Sequence, residues 1–170
     1  MVKHQGSLDA LCGVYAIINA LELCKVNKAK YIFQLACKVF PIGVYEGTDF
    51  DELKFIISRI PLVDYHLEVN FPFEQKALTP KSNEEYWQKF DEIFSEEENV
   101  CGVIGMTKPI DHWVTVRYLA NTTSVEIIDS QAGGKNMIIN RSEIFAGEVQ
   151  DKGSKYLIDS QELIVFSRIK

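Results

Sequence analysis

Apolar and polar positions divide this chain into two halves of different periodicity. From Cys12 to about Leu23 apolar side chains point in every direction (Val14, Tyr15, Ile17, Ile18, Leu21), the pattern of a helix buried on all sides. Ile32, Leu35, Ala36, Val39 and Phe40 recur at helical spacing, with Pro41 and Gly43 ending the segment. A third helix, N-capped by Thr48 with Asp51 three residues on, carries Phe50, Leu53, Ile56, Ile57 and Ile60 on one face and stops at Pro61. A fourth starts at Ser82, where Glu85 completes a capping box, and shows Tyr86, Trp87, Phe90, Ile93 and Phe94. The acidic run Glu96 to Glu98 reads as a solvated loop.

The second half alternates instead. Val100–Met106, His112–Leu119 and Ser124–Asp129 are β-branched runs, with Asn121-Thr122-Thr123 marking a hairpin; Met137–Ile139, Tyr156–Ile158 and Glu162–Ile169 read as further strands. Gly133-Gly134 and Gly153 mark loops. Helices first and antiparallel strands afterwards predict an α+β fold in a single domain, 1–170, with a helical lobe over about 1–98 and a β lobe over about 99–170.

Composition narrows the function. Apolar residues make up 46% of the 170 residues, enough to fold without a structural metal or disulfide. A formal charge of −6 opposes binding to a phosphate backbone. The densest basic stretch holds only Lys25, Lys28 and Lys30, so no nucleic-acid partner is expected. The apolar run Val14–Ile18 is too short to span a bilayer, and the first residues lack the apolar core of a secretory signal. Four widely spaced cysteines without a Cys-x-x-Cys pair suggest neither a disulfide framework nor a zinc ribbon. Free thiols fit a reducing compartment, so a cytoplasmic chain is expected, with export by a leaderless route as the alternative.

Nucleophilic thiol catalysis needs a thiolate, an imidazole, a group to orient that imidazole, and donors for an oxyanion. Cys12 stands at the predicted start of the buried helix, after a polar loop holding Gly6, Ser7 and Asp9. Peptide dipoles there lower a thiol pKa from about 8.5 toward neutrality. His112 heads the strand His-Trp-Val-Thr-Val, and Asp129 closes the next one. A hairpin turning near residue 121 sets His112 opposite Asp129, where the carboxylate fixes the imidazole tautomer. Gln5 can bring an amide beside the Cys12 N–H to form an oxyanion hole. Trp113 can wall the leaving-group side of a cleft or serve as core. Cys24, Cys37 and Cys101 read as structural thiols. His4, His66, Asp111 and Asp159 are weaker competitors for the roles of base and orienter; Asp159 lies in an Ile-Asp-Ser-Gln echo of residues 128–131. A metal site from His4, Cys12, His66 and His112 lacks helical ligand spacing, and no cofactor is expected.

Gln5, Cys12-Gly13, His112-Trp113-Val114-Thr115-Val116 and Ile128-Asp129-Ser130 together resemble the papain-like cysteine peptidase superfamily, in its compact bacterial branch that includes the bacteriocin-processing double-glycine peptidases. Gln5 precedes Cys12 by seven residues, one more than is usual in that family, and His112 follows Cys12 by 100, as in the small relatives and not the lysosomal cathepsins. The resemblance implies a helical lobe bearing the nucleophile Cys12, a strand lobe bearing the general base His112 and its orienter Asp129, and Gln5 as oxyanion donor. A cleft between the lobes, with Gly13 and Trp113 beside the substrate, would take a protein or peptide. The same residues serve peptide or isopeptide hydrolysis, glutamine deamidation and transglutamination, which differ only in acyl group and acceptor. A non-catalytic papain-like binding module is the reading from another class.

Overall fold

The computed structural model of the chain describes residues 11–39, 48–109, 111–130, 136–147 and 153–170. Four α-helices are described: α1 (Cys12–Leu23), α2 (Ala29–Val39), α3 (Phe50–Ser58) and α4 (Asn83–Phe94). Seven strands form one sheet: β1 (Leu67–Asn70), β2 (Asn99–Lys108), β3 (His112–Tyr118), β4 (Ser124–Ile128), β5 (Asn136–Asn140), β6 (Ile144–Ala146) and β7 (Tyr156–Arg168). Their order is β1-β7-β2-β3-β4-β5, with β6 also on β7, and every pairing is antiparallel except the parallel β6–β7 contact. The fold is therefore α+β with a mostly antiparallel sheet.

Alternation along the strands gives the sheet two apolar faces. Cys101, Val103, Trp113, Ile164 and Phe166 pack with α1, α2 and α3, whereas Ile104, Val114, Val116, Leu163 and Val165 pack with Phe73 and the α4 side chains Tyr86, Phe90 and Phe94. Helix α1 lies against the middle of the sheet, which is why its apolar residues face all round: Val14, Ile17 and Ala20 are fully buried. A buried Thr115 hydroxyl donates to the Ala16 carbonyl at 2.8 Å, tying β3 to α1.

Several boundaries differ from the sequence reading for identifiable reasons. Asp49, not Thr48, caps α3: its carboxylate accepts from the Glu52 N–H while Glu52 reaches back to the Asp49 N–H. Thr48 is buried, and its carbonyl accepts the Trp113 indole N–H at 2.7 Å. Ser82 caps α4 as expected, but the Glu85 carboxylate accepts from the Lys81 N–H, so the box closes one residue early. The expected strands 156–158 and 162–169 are one continuous strand, β7. Opposite Gly105 of β2, residues 159–162 of β7 leave the ladder as a bulge, because Ile104 pairs Leu163 while Met106 pairs Ile158.

The division of lobes at 98/99 is not followed. Strand β1, from the first half of the chain, pairs with the C-terminal end of β7, and α4 packs on the face of the sheet opposite to α1. Gly13 sits where α1 passes under β3, and a Cβ there would lie 2.3 Å from Thr48 Oγ1 and 2.6 Å from Leu53 Cδ2. Both neighbours are buried, so Gly13→Ala is expected to cost about 1–3 kcal/mol of stability, read from the midpoint of urea unfolding.

Candidate active site

Cys12 is the first residue of α1, with Leu11 as N-cap and no side chain capping that end. Its own N–H therefore belongs to the first turn, where amides have no intrahelical acceptor. Packing of α1 on β3 brings the Cys12 sulfur against the backbone N–H of Trp113, the residue next to His112; the Gly13 N–H also faces it. The thiol is mostly buried, at 8% exposure. Burial pushes its pKa above the usual cysteine value, and the nearby Asp111 carboxylate adds to the rise; the Trp113 and Gly13 amides only partly offset both. The depressed thiol expected from helix dipoles is thus not the balance found here. Removal from water outweighs the amide donors, and the resting group is a thiol.

His112 begins β3 and is buried, 6% exposed. Its Nε2 lies 3.4 Å from Asp129 Oδ2, a carboxylate whose side chain is itself mostly buried. The two do not face each other across the ladder as the expected hairpin had them. Thr115 pairs Ile128, Val116 pairs Ile127 and Arg117 pairs Glu126, a register centred half a step beyond Asn121, with Arg117 and Glu126 ion-paired at 2.5 Å. Continued one step, that register sets Asp129 level with Val114, two residues from His112. A shift of two keeps both side chains on one face of the pleat, and such diagonal neighbours remain within reach of each other. Asn121 turns the chain with φ 61°, a left-handed value that Asn tolerates.

The other nitrogen of the ring, Nδ1, is buried without a hydrogen-bond partner among the described residues. With Nε2 toward the carboxylate, the tautomer that donates from Nε2 leaves Nδ1 as a lone-pair acceptor.

Gln5 and His4 lie outside the described residues. Asp159 accepts from the Gln161 N–H at 2.7 Å within the β7 bulge, while Asp129 is the carboxylate at His112. His66 follows a short 3-10 turn (Leu62–Tyr65) at φ 53° and precedes β1. Trp113, read from the sequence as cleft wall or core, is 6% exposed and stacks on Phe50 at 5.9 Å, with its indole N–H bonded to Thr48, and Gly13, expected beside the substrate, lies against Thr48, Leu53 and Trp113. Among the described residues, no group of three or more His, Cys, Asp or Glu is placed to hold a metal ion. No helix there is long and apolar enough to cross a membrane.

One neighbour of the site is absent from the sequence reading. Glu162, in the β7 bulge, lays its carboxylate over Gly105, where a Cβ would come within 2.2 Å of Oε2, and Gly105 pairs with Trp113. Burial, and then the charges of Asp159, Asp111 and Asp49, push the Glu162 pKa up to about 7. No sequence signal marks Glu162: the bulge that carries it, residues 159–162, follows from the pairing of β2 with β7. Compared with known proteins, the chain matches no family model, no curated protein and no solved structure.

The raised Glu162 carboxyl fixes a pH dependence. From the ordinary glutamate range up to about 7 the folded protein binds this proton more tightly than the unfolded chain does. Glu162 therefore weakens the fold progressively as pH rises through that window. Glu162→Gln is expected to melt higher than wild type at pH 8, with the difference shrinking toward pH 4.5, as read by thermal unfolding in the two buffers.

Proposed function

We propose that the protein is a thiol hydrolase of papain-like type that cleaves peptide or isopeptide bonds in a protein or peptide substrate. The observation that supports this reading is a single juxtaposition. The Cys12 sulfur meets the backbone N–H next to His112, whose Nε2 addresses Asp129; among the described residues no hydrogen bond joins that sulfur to the ring, so the proposed proton transfer requires Nδ1 to close on it.

In this mechanism the resting thiol transfers its proton to His112 Nδ1 as the sulfur attacks the carbonyl carbon, so the imidazole acts as general base. The S–C bond forms, the carbonyl oxygen becomes an oxyanion, and the Cys12 N–H is the donor at hand in the first turn of α1. His112 then returns the proton to the departing amine as the C–N bond breaks, leaving a thioester. Water, deprotonated by the same imidazole, attacks the thioester and releases the acid and the thiol. Asp129 holds the ring in the Nε2–H tautomer and stabilises the imidazolium formed twice in the cycle. Gln5 would supply the second oxyanion donor, as the family pattern implies. Each role is carried by one of the described residues or by Gln5, and the chain needs no cofactor for any step.

Incubation of a proteome with the protein and with Cys12→Ala, followed by mass spectrometry, tests the reading. New peptide termini that depend on Cys12 support hydrolysis. Glutamines converted to glutamate without cleavage would replace it with deamidation, and neither change would leave the binding-module reading. Against any substrate so found, Cys12→Ala and His112→Ala are expected to lower kcat/KM by about 10³-fold or more, and Asp129→Ala by less. A second measurement reports the pair without a substrate. Because the imidazole is the proton acceptor, His112→Ala is expected to slow iodoacetamide alkylation of Cys12 at pH 7 about tenfold or more. An unchanged rate would separate the two groups.

A further inference from the structure

Two other thiols meet outside the candidate active site. Cys24 caps the C-terminal end of α1 and Cys101 lies in β2; both belong to the core between α1 and the sheet. They converge on one carbonyl: the Cys24 N–H donates to Ala20 O at 3.1 Å and the Cys101 thiol reaches the same oxygen at 3.5 Å. The two thiols are close enough to interact with each other. Neither is in a disulfide. Chain positions 24 and 101 are far apart in sequence, so it is the docking of α1 on the sheet that creates this pair.

The two thiols are not equivalent. Cys101 is fully buried, whereas Cys24 keeps 7% of its surface exposed at the helix end. The Arg168 guanidinium lies near Cys24. Contact with Cys24 and burial push the Cys101 thiol well above the ordinary cysteine value. Exposure thus sets the order: Cys24 meets a small oxidant first, and Cys101 waits behind it as the protonated partner.

We propose that Cys24 and Cys101 form a peroxide-responsive dithiol that closes reversibly to a disulfide, fastening the C-terminal end of α1 to β2. The Cys24 thiolate attacks hydrogen peroxide, the O–O bond breaks, and the sulfur becomes a sulfenic acid while the released hydroxide takes up a proton as water. Cys101 then gives up its proton and attacks the Cys24 sulfur. The S–S bond forms, the S–O bond breaks, and a second water leaves. Two thiols are oxidised by two electrons in all, and one peroxide is reduced to two waters. A small-molecule dithiol reverses the change by exchange. The proposal does not depend on the hydrolase reading, because it involves neither Cys12 nor His112.

The test uses the intact wild-type protein, exposed to hydrogen peroxide well below its melting temperature, alkylated in denaturant with iodoacetamide and digested without reduction. The expected result is a peptide pair joined through Cys24 and Cys101, lost on treatment with dithiothreitol, with Cys37 recovered alkylated. In Cys101→Ala the resolving thiol is gone, and Cys24 is expected to be trapped by dimedone as the sulfenic acid. Should that variant fail to fold, the wild-type peptide map decides alone. Recovery of Cys24 and Cys101 as separate alkylated or over-oxidised peptides, or of either one joined to Cys12 or Cys37, overturns the proposal.

Discussion

Helix α1 rests on strand β3 so closely that one contact governs both ends of the helix. Gly13 passes beneath Trp113 and Thr48 with no room for a methyl group, and the Thr115 hydroxyl is bonded to the Ala16 carbonyl one turn further on. Interiors packed to this density respond to displacement as a unit, so the helix cannot slide along the strand without breaking a buried hydrogen bond and forcing a clash. From this seam follow the meeting of the Cys12 sulfur with the Trp113 amide at one end and the convergence of Cys24 and Cys101 on Ala20 O at the other.

The electrostatics of the site follow from burial and not from helix dipoles. A carboxylate near Cys12, Asp111, and the amides that donate to its sulfur act in opposite directions, and removal from water tips the sum toward the protonated thiol. In the proposed mechanism, proton transfer is therefore coupled to substrate attack, and the position of the imidazole matters more than a standing thiolate. Removal from water likewise raises Glu162, one strand away, and the charges of Asp159, Asp111 and Asp49 add to it.

Much of this was legible from local pattern. The buried helix beginning at Cys12, the helix capped by Ser82 and the hairpin of β3 and β4 all announce themselves through periodicity and turn residues. The nearness of His112 and Asp129 was legible, although the register that unites them was read two residues off. The observed pairing is centred half a residue beyond Asn121, and because a shift of two leaves the same side chains on each face, alternation alone does not distinguish the two registers. Short elements formed by distant pairing were missed: β1 and β6 have only four and three residues, too few to show alternation, and they exist because β7 offers them an edge. The Cys24–Cys101 contact was unreadable for the same reason. Each thiol looks structural alone, and only tertiary docking makes them neighbours. What the chain carries before Leu11, Gln5 included, lies outside the described residues.

Strand β7 is 13 residues long, and an open border of that length would be a template for a stranger's backbone. Its flank away from β2 is instead shared by two short strands from remote parts of the chain, β6 along Tyr156–Ile158 and β1 along Val165–Arg168. Between them lies the stretch that bulges at Asp159–Glu162, where the irregular backbone and three acidic or amide side chains spoil any straight ladder. The distortion that sets Glu162 beside the candidate site therefore also interrupts the one long border against intermolecular strand addition. A deletion that straightened it would be felt first as a tendency to self-associate.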